Sequence, residues 1–193
     1  KKTGKANSFP DWLLPLCAPH PITAGHAFPG MVPPADAWAA YCRAVMERYQ
    51  RDVKYWEVLN EPNDWLSPEE YMGLLKTAHA TARAVSPELR ILGPCPTGDA
   101  LVPQVYEWSR EILAAGGGKY LDGFSYHPYG AGNDFQQGEF FAATKMIQSL
   151  RSLMGNQILP LYNTELYYLA NEKHLQCSRW DASTGLRHYL ITL

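Results

Sequence analysis

WEVLNEPNDW, residues 56–65, decides how the whole 193-residue chain is read. Its first half, with Trp56, Val58 and Leu59, has the apolar make-up of a strand bound for a core. It then runs straight into Asn60, Glu61, Pro62 and Asn63, so a carboxylate stands at the exit of a buried strand and a proline fixes φ just after it. Apolar strands with polar exits are what a parallel α/β sheet places around a ligand site.

The same pattern recurs on both sides of this stretch. Apolar runs at 12–19, 53–60, 89–94, 121–130 and 158–169 read as strands. Between them lie helical patterns. Over 35–52, Trp38, Tyr41, Cys42, Val45 and Met46 recur at helical spacing. Over 67–86, Ser67 is placed to cap, Pro68 takes the first position and Glu69 and Glu70 fill the first turn. Further helices are expected over about 101–115, over 140–155 with Gly155 closing it, and over about 179–193. Five strands alternating with five helices predict an α/β fold with a parallel sheet and right-handed crossovers. An open doubly wound sheet is the alternative. Its dinucleotide-binding version is disfavoured because no G-x-G-x-x-G follows a strand and the glycine run 116–118 sits at a helix end, as a stop and turn. With no linker or repeat, residues 1–193 read as a single domain.

Bulk properties narrow the function classes. The apolar content of 46% is enough for a real core. The formal charge is −2 with charged residues scattered, so neither a nucleic-acid stripe nor a polybasic membrane anchor is present. No apolar run approaches the roughly 20 residues of a spanning helix. Cys17, Cys42, Cys95 and Cys177 are far apart, without C-x-x-C or His pairing at zinc spacing; they read as buried free thiols, with one disulfide left open. Neither a cofactor nor a metal is expected. Six Trp and twelve Tyr exceed what a core of this size needs and favour a surface that stacks on flat ligands. The opening KKTGKANSFP carries neither a start methionine nor a secretory pattern and reads as an internal break point. That leaves the compartment open, secreted and periplasmic locations included, along with the oligomeric state.

Three strand exits carry chemistry: Asn60 with Glu61; Ser125, Tyr126, His127, Pro128 and Tyr129; and Asn163, Thr164 and Glu165. In a parallel α/β fold these exits share one face. Glu165 follows Glu61 by 104 residues with two strands between, which is three βα steps of about 35 residues, normal for a barrel. Three steps round an eight-strand barrel set two exit carboxylates across its mouth. Facing glutamates in an aromatic-lined cleft supply the acid and the base or nucleophile that glycosidic bond cleavage needs. Alone, Glu165 reads equally well as a solvated loop residue, and Glu61 less so because Asn-Glu-Pro after a buried strand is uncommon; the pair carries the inference.

WEVLNEPN resembles the acid/base motif at the end of strand four in glycoside hydrolase clan A, the retaining glycosidases on (β/α)8 barrels. YNTELYY is similar to that clan's nucleophile motif at strand seven, and FSYHPYG resembles its strand-six exit. The wording is closest to family 39, with family 5 as a neighbour. The resemblance implies an incomplete (β/α)8 TIM barrel, about strand three to helix seven, acting on a glycoside, oligosaccharide or polysaccharide by double displacement. It implies Glu61 as general acid/base, Glu165 as nucleophile, and Asn60 on the sugar 2-hydroxyl. His127 and Tyr129 match positions lining the subsite of the cleaved sugar. Trp65 and Tyr167 or Tyr168 are candidates for sugar stacking, with loop packing as the alternative; His20 and His26 read better as plain loop histidines than as subsite residues.

The clan's strand-two arginine and strand-eight tryptophan have no counterpart here. A full barrel needs about 250 residues, and five strands alone would leave open parallel edges. The chain is therefore read as part of a longer protein. Two other readings are a sugar-binding barrel without turnover and a metal-dependent hydrolase in which His127, Glu165 and Glu61 hold the cation. The first is opposed by both glutamates being present, the second by the lack of an Asp/His cluster at ligand spacing.

Overall fold

The computed structural model describes residues 12–16, 32–96, 103–127 and 147–165. Five strands, β1 (Trp12–Leu16), β2 (Val53–Val58), β3 (Arg90–Pro94), β4 (Gly123–Tyr126) and β5 (Leu161–Asn163), alternate with helices α1 (Ala35–Tyr49), α2 (Pro68–Val85), α3 (Pro103–Ala114) and α4 (147–154). The helix expected near 179–193 lies outside the described residues. Within the described residues, β2, β4 and β5 span less than the apolar runs that predict them. In β2 the reason is local: Leu59 turns to φ 65°, which takes the backbone out of the extended region before Asn60 is reached.

All neighbouring strands pair in parallel, in the order β1-β2-β3-β4-β5. Every crossover therefore steps the same way, whereas a doubly wound sheet reverses at a switch point. Strand alternation sorts side chains onto two faces. Trp56, Val58 and Ile91 join Trp38, Cys42 and Met46 of α1 and Tyr71, Leu74, Leu75 and Ala78 of α2 in one buried cluster. Phe124 and Tyr126 join Leu113, Leu150 and Met154 in a second. The helices are pinned as well as packed. Trp38 Nε1 donates to Leu74 O at 3.0 Å, and Ser67 with Glu70 forms a reciprocal capping box at the start of α2. Tyr41 of α1, expected on the apolar face, is 39% exposed and stacks on Trp38.

The opposite face, with Tyr55, Glu57, Leu92, Ser125 and Tyr162, is concave. Strands β2 and β5 stand three spacings apart, about 14 Å in a flat sheet. Yet the Tyr55 and Tyr162 rings lie 5.8 Å apart, and Thr164 Oγ1 reaches Glu57 Oε1 at 2.7 Å. Side chains this short meet only if the sheet curls. Gly123 is part of that curl, because a Cβ there would run into the Tyr162 ring. Gly93 plays the same part on the helix side, where a Cβ would meet the Tyr71 hydroxyl and Leu121. Gly93→Ala should lower stability by about 1–3 kcal/mol, the usual cost of overpacking, as measured by urea unfolding. No helix among the described residues is long and apolar enough to cross a membrane.

Candidate active site

The strand exits are tied to one another beyond the regular ladder. Leu59 N donates to Leu16 O at 3.1 Å, Glu61 N to Cys95 O at 3.1 Å, Cys95 N to Ser125 O at 3.2 Å, and Thr164 N to Tyr126 O at 3.3 Å. Leu59 (φ 65°), Glu61 (φ 49°) and Cys95 (φ 51°) all adopt left-handed backbone. For side chains with a Cβ this costs on the order of 1–2 kcal/mol each, and such strain gathers at functional sites. Past Glu61, Pro62 opens a 3-10 turn whose carbonyl accepts from Trp65 N and Leu66 N. Leu66 O in turn accepts from Trp108 Nε1 at 2.8 Å. Glu61 is thus held between a ladder bond on one side and an anchored turn on the other.

Three of the residues picked from sequence meet at this face. Glu61 Oε1 pairs with His127 Nδ1 at 2.9 Å, and Glu165 Oε2 lies 3.9 Å from His127 Nε2. One oxygen from each glutamate and a ring nitrogen of His127 all fall within 4.8 Å of one another. The His127 side chain is 1% exposed, while those of Glu61 and Glu165 are 27% and 37% exposed. The imidazole is therefore the buried floor, and the carboxylates open towards solvent. Asn60 is exposed at the rim beside Glu61. Trp65 is half-buried and packs against the helix-side core, as the loop-packing alternative has it. Tyr129, Tyr167, Tyr168, His20 and His26 lie outside the described residues, as do Cys17 and Cys177. Cys42 and Cys95 are buried and free.

Beneath the pair lies a layer that the sequence reading passed over. Cys95 Sγ sits 2.9 Å from His127 Nε2 and 3.8 Å from Thr164 Oγ1. Thr164 Oγ1 donates to Glu57 Oε1, and Glu57 is 3% exposed. Burial, and then the Glu57 charge, push the Cys95 thiol up, so it stays protonated as a hydrogen-bonding group rather than a nucleophile. Burial, and then the Glu57 charge, likewise hold the Tyr71 phenol well above its ordinary value. Asp64 is raised by burial and by the Glu61 charge. One signal for Glu57 was available: it is the single charged residue among 55–59, on the interior side of a buried strand. Cys95 offered none beyond its apolar surroundings.

Two donor sets among the described residues are compact enough to hold a cation: Glu57, Cys95 and His127, and Glu61, His127 and Glu165. Spacing along the chain hides both, because their members come from different strand exits. Sγ and Nε2 at 2.9 Å, and Nδ1 and Oε1 at 2.9 Å, already satisfy one another, so an ion would have to displace these bonds.

No protein-family model and no curated protein sequence matches the chain. Solved structures do. A family 39 glycoside hydrolase from the gut symbiont Bacteroides cellulosilyticus WH2 superposes with a TM-score of 0.57 at 20% identity, over 86% of this chain and 36% of that one. A GH128 (subgroup I) endo-β-1,3-glucanase from Amycolatopsis mediterranei, in complex with laminaritriose and laminaribiose, superposes with a TM-score of 0.50 at 17% identity, over 74% of this chain and 57% of that one. The chain thus spans about a third and just over half of these proteins. At such identities the likeness shows the fold: a parallel α/β sheet with its helices, as carried by glycoside hydrolases.

Proposed function

We propose that this chain carries the catalytic face of a retaining glycoside hydrolase on a (β/α)8 barrel, with residues 1–193 supplying about strand three to helix seven of one catalytic domain. The observation that carries the reading is the approach of Glu61 and Glu165. Their carboxylates come from exits 104 residues apart in sequence and offer oxygens within 4.8 Å of each other and of His127. Carboxyl groups of retaining enzymes stand about 5–5.5 Å apart, whereas inverting enzymes keep roughly 6.5–9.5 Å to seat a water. The one-way strand order and the curled sheet support a barrel wall.

In the first step Glu165 attacks the anomeric carbon while Glu61 protonates the departing oxygen, so one C–O bond forms as another breaks. In the second, Glu61 takes a proton from water, the water oxygen bonds to the anomeric carbon, and Glu165 leaves as a carboxylate. His127, packed under both, fixes the direction of Glu61 through the 2.9 Å bond at Nδ1. Asn60 at the rim is assigned to the 2-hydroxyl, and Tyr129 and Tyr167 to substrate contact. The glucanase neighbour's bound laminari-oligosaccharides make β-1,3-glucan fragments the first substrates to try.

A metal-dependent hydrolase is the second reading, favoured by the donor set Glu61, His127 and Glu165. One experiment separates the two. The protein at its full natural length, given aryl glycosides or laminari-oligosaccharides, should release a sugar that first appears by proton NMR in the substrate's own anomeric configuration. Its rate should be unchanged in EDTA. Inverted product, or activity lost to EDTA and restored by a divalent cation, would contradict the proposal.

A further inference from the structure

Glu57 is an expensive residue where it stands. A carboxylate 3% exposed on the inner face of a strand loses its hydration, and no salt bridge reaches it among the described residues. A leucine at that position would fill the space at no electrostatic cost. What the carboxylate gains instead is a tie to the neighbouring strand exits. Thr164, the residue immediately before Glu165, donates its hydroxyl at 2.7 Å, and the Cys95 sulfur lies within 4.8 Å of a Glu57 oxygen. Cys95 in turn touches His127 Nε2. Glu57 therefore links β2, the β3 exit and the β5 exit across the concave face, where Thr164 is 107 residues away in sequence.

We propose that Glu57 is a positioning residue: by holding the Thr164 hydroxyl it fixes the backbone from which Glu165 projects, and through Cys95 it steadies the His127 ring beneath Glu61. This rests on Glu165 being the nucleophile. Thr164 and Glu165 are consecutive residues directly past β5, so pinning Thr164 leaves Glu165 little freedom. A ladder-type bond from Thr164 N to Tyr126 O, at 3.3 Å, also ties this exit to β4. A displacement of about 1 Å at a reacting group can cost on the order of 100-fold in rate. The device is therefore expected to act on the nucleophilic step more than on sugar binding.

The test is the rate at which a 2-deoxy-2-fluoro glycoside with a good leaving group traps Glu165 covalently, because that step needs the nucleophile and little acid assistance. In the protein at full natural length, Thr164→Val should slow trapping about 10- to 100-fold with saturation by the reagent little changed. Thr164→Ser, which keeps the hydroxyl, should restore most of the rate. Glu57→Leu should match Thr164→Val, and Glu57→Gln, which keeps a carbonyl for the hydroxyl, should recover much of it. The double variant of Glu57→Leu and Thr164→Val should be no slower than either alone. Should Glu57→Leu fail to fold, the Thr164 pair decides the matter alone. Trapping of Thr164→Val at the parent rate, or equal loss in Thr164→Val and Thr164→Ser, would overturn the proposal. Failure of the parent protein to label at Glu165 would instead strike at the nucleophile assignment beneath it.

Discussion

Glu165→Ala is expected to lower kcat for glycoside hydrolysis by about 10⁴-fold or more, the scale on which removal of a covalent nucleophile is felt. Without the carboxylate no glycosyl-enzyme forms, and water has neither the position nor the nucleophilicity to replace it. The loss should be chemical rather than structural. Glu165 has its side chain 37% exposed, so its truncation should change unfolding free energy by no more than about 0.5 kcal/mol. A small anionic nucleophile such as azide fits the space left behind and should restore turnover, yielding a glycosyl azide of inverted configuration. Kinetics on aryl glycosides with and without azide check both halves. A variant as active as the parent would mean that another group attacks.

Glu61→Gln should show a loss that depends on the leaving group. The amide keeps an oxygen for His127 Nδ1 and side-chain bulk in the left-handed backbone at φ 49°, but it has no proton to give. Substrates whose aglycone needs protonation should lose about 10²–10⁴-fold in kcat/KM, the usual contribution of general acid catalysis. Dinitrophenyl glycosides, whose leaving group departs unaided, should lose far less at that step. They should instead stall at the glycosyl-enzyme, because no base remains to activate water. The expected signature is a burst of phenol followed by a slow steady state with lowered KM. An equal loss for good and poor leaving groups would remove Glu61 from the acid role.

The strand–helix alternation was legible because each local signal agreed with the global fold. Apolar runs at 53–60 and 89–94 and a complete helix start at Ser67, Pro68 and Glu70 need no knowledge of the rest of the chain. The meeting of Glu61, His127 and Glu165 could be anticipated for a related reason: parallel strands put their exits on one face, and counting βα steps gives their order round it. The layer below was not legible. Glu57 touches Thr164 only because the sheet curls, and curvature depends on Gly123 leaving room for Tyr162, a contact that no local pattern announces. The left-handed backbone at Leu59, Glu61 and Cys95 was equally hidden, since none of these residue types advertises positive φ as glycine or asparagine does. Trp65 illustrates the limit of composition: an aromatic beside an active-site motif invites a stacking role, yet its ring packs against the core beneath the turn. Tyr41 shows the reverse, a residue at helical core spacing that stays partly in solvent at the edge of the core.

The central claim is that Glu165 attacks the sugar, and one measurement addresses it directly. The protein at its full natural length is inactivated with a 2-deoxy-2-fluoro glycoside, digested, and mapped by tandem mass spectrometry. The account predicts a single glycosyl ester on Glu165. A label on another carboxylate, or none at all from a protein that turns over the parent glycoside, would contradict it.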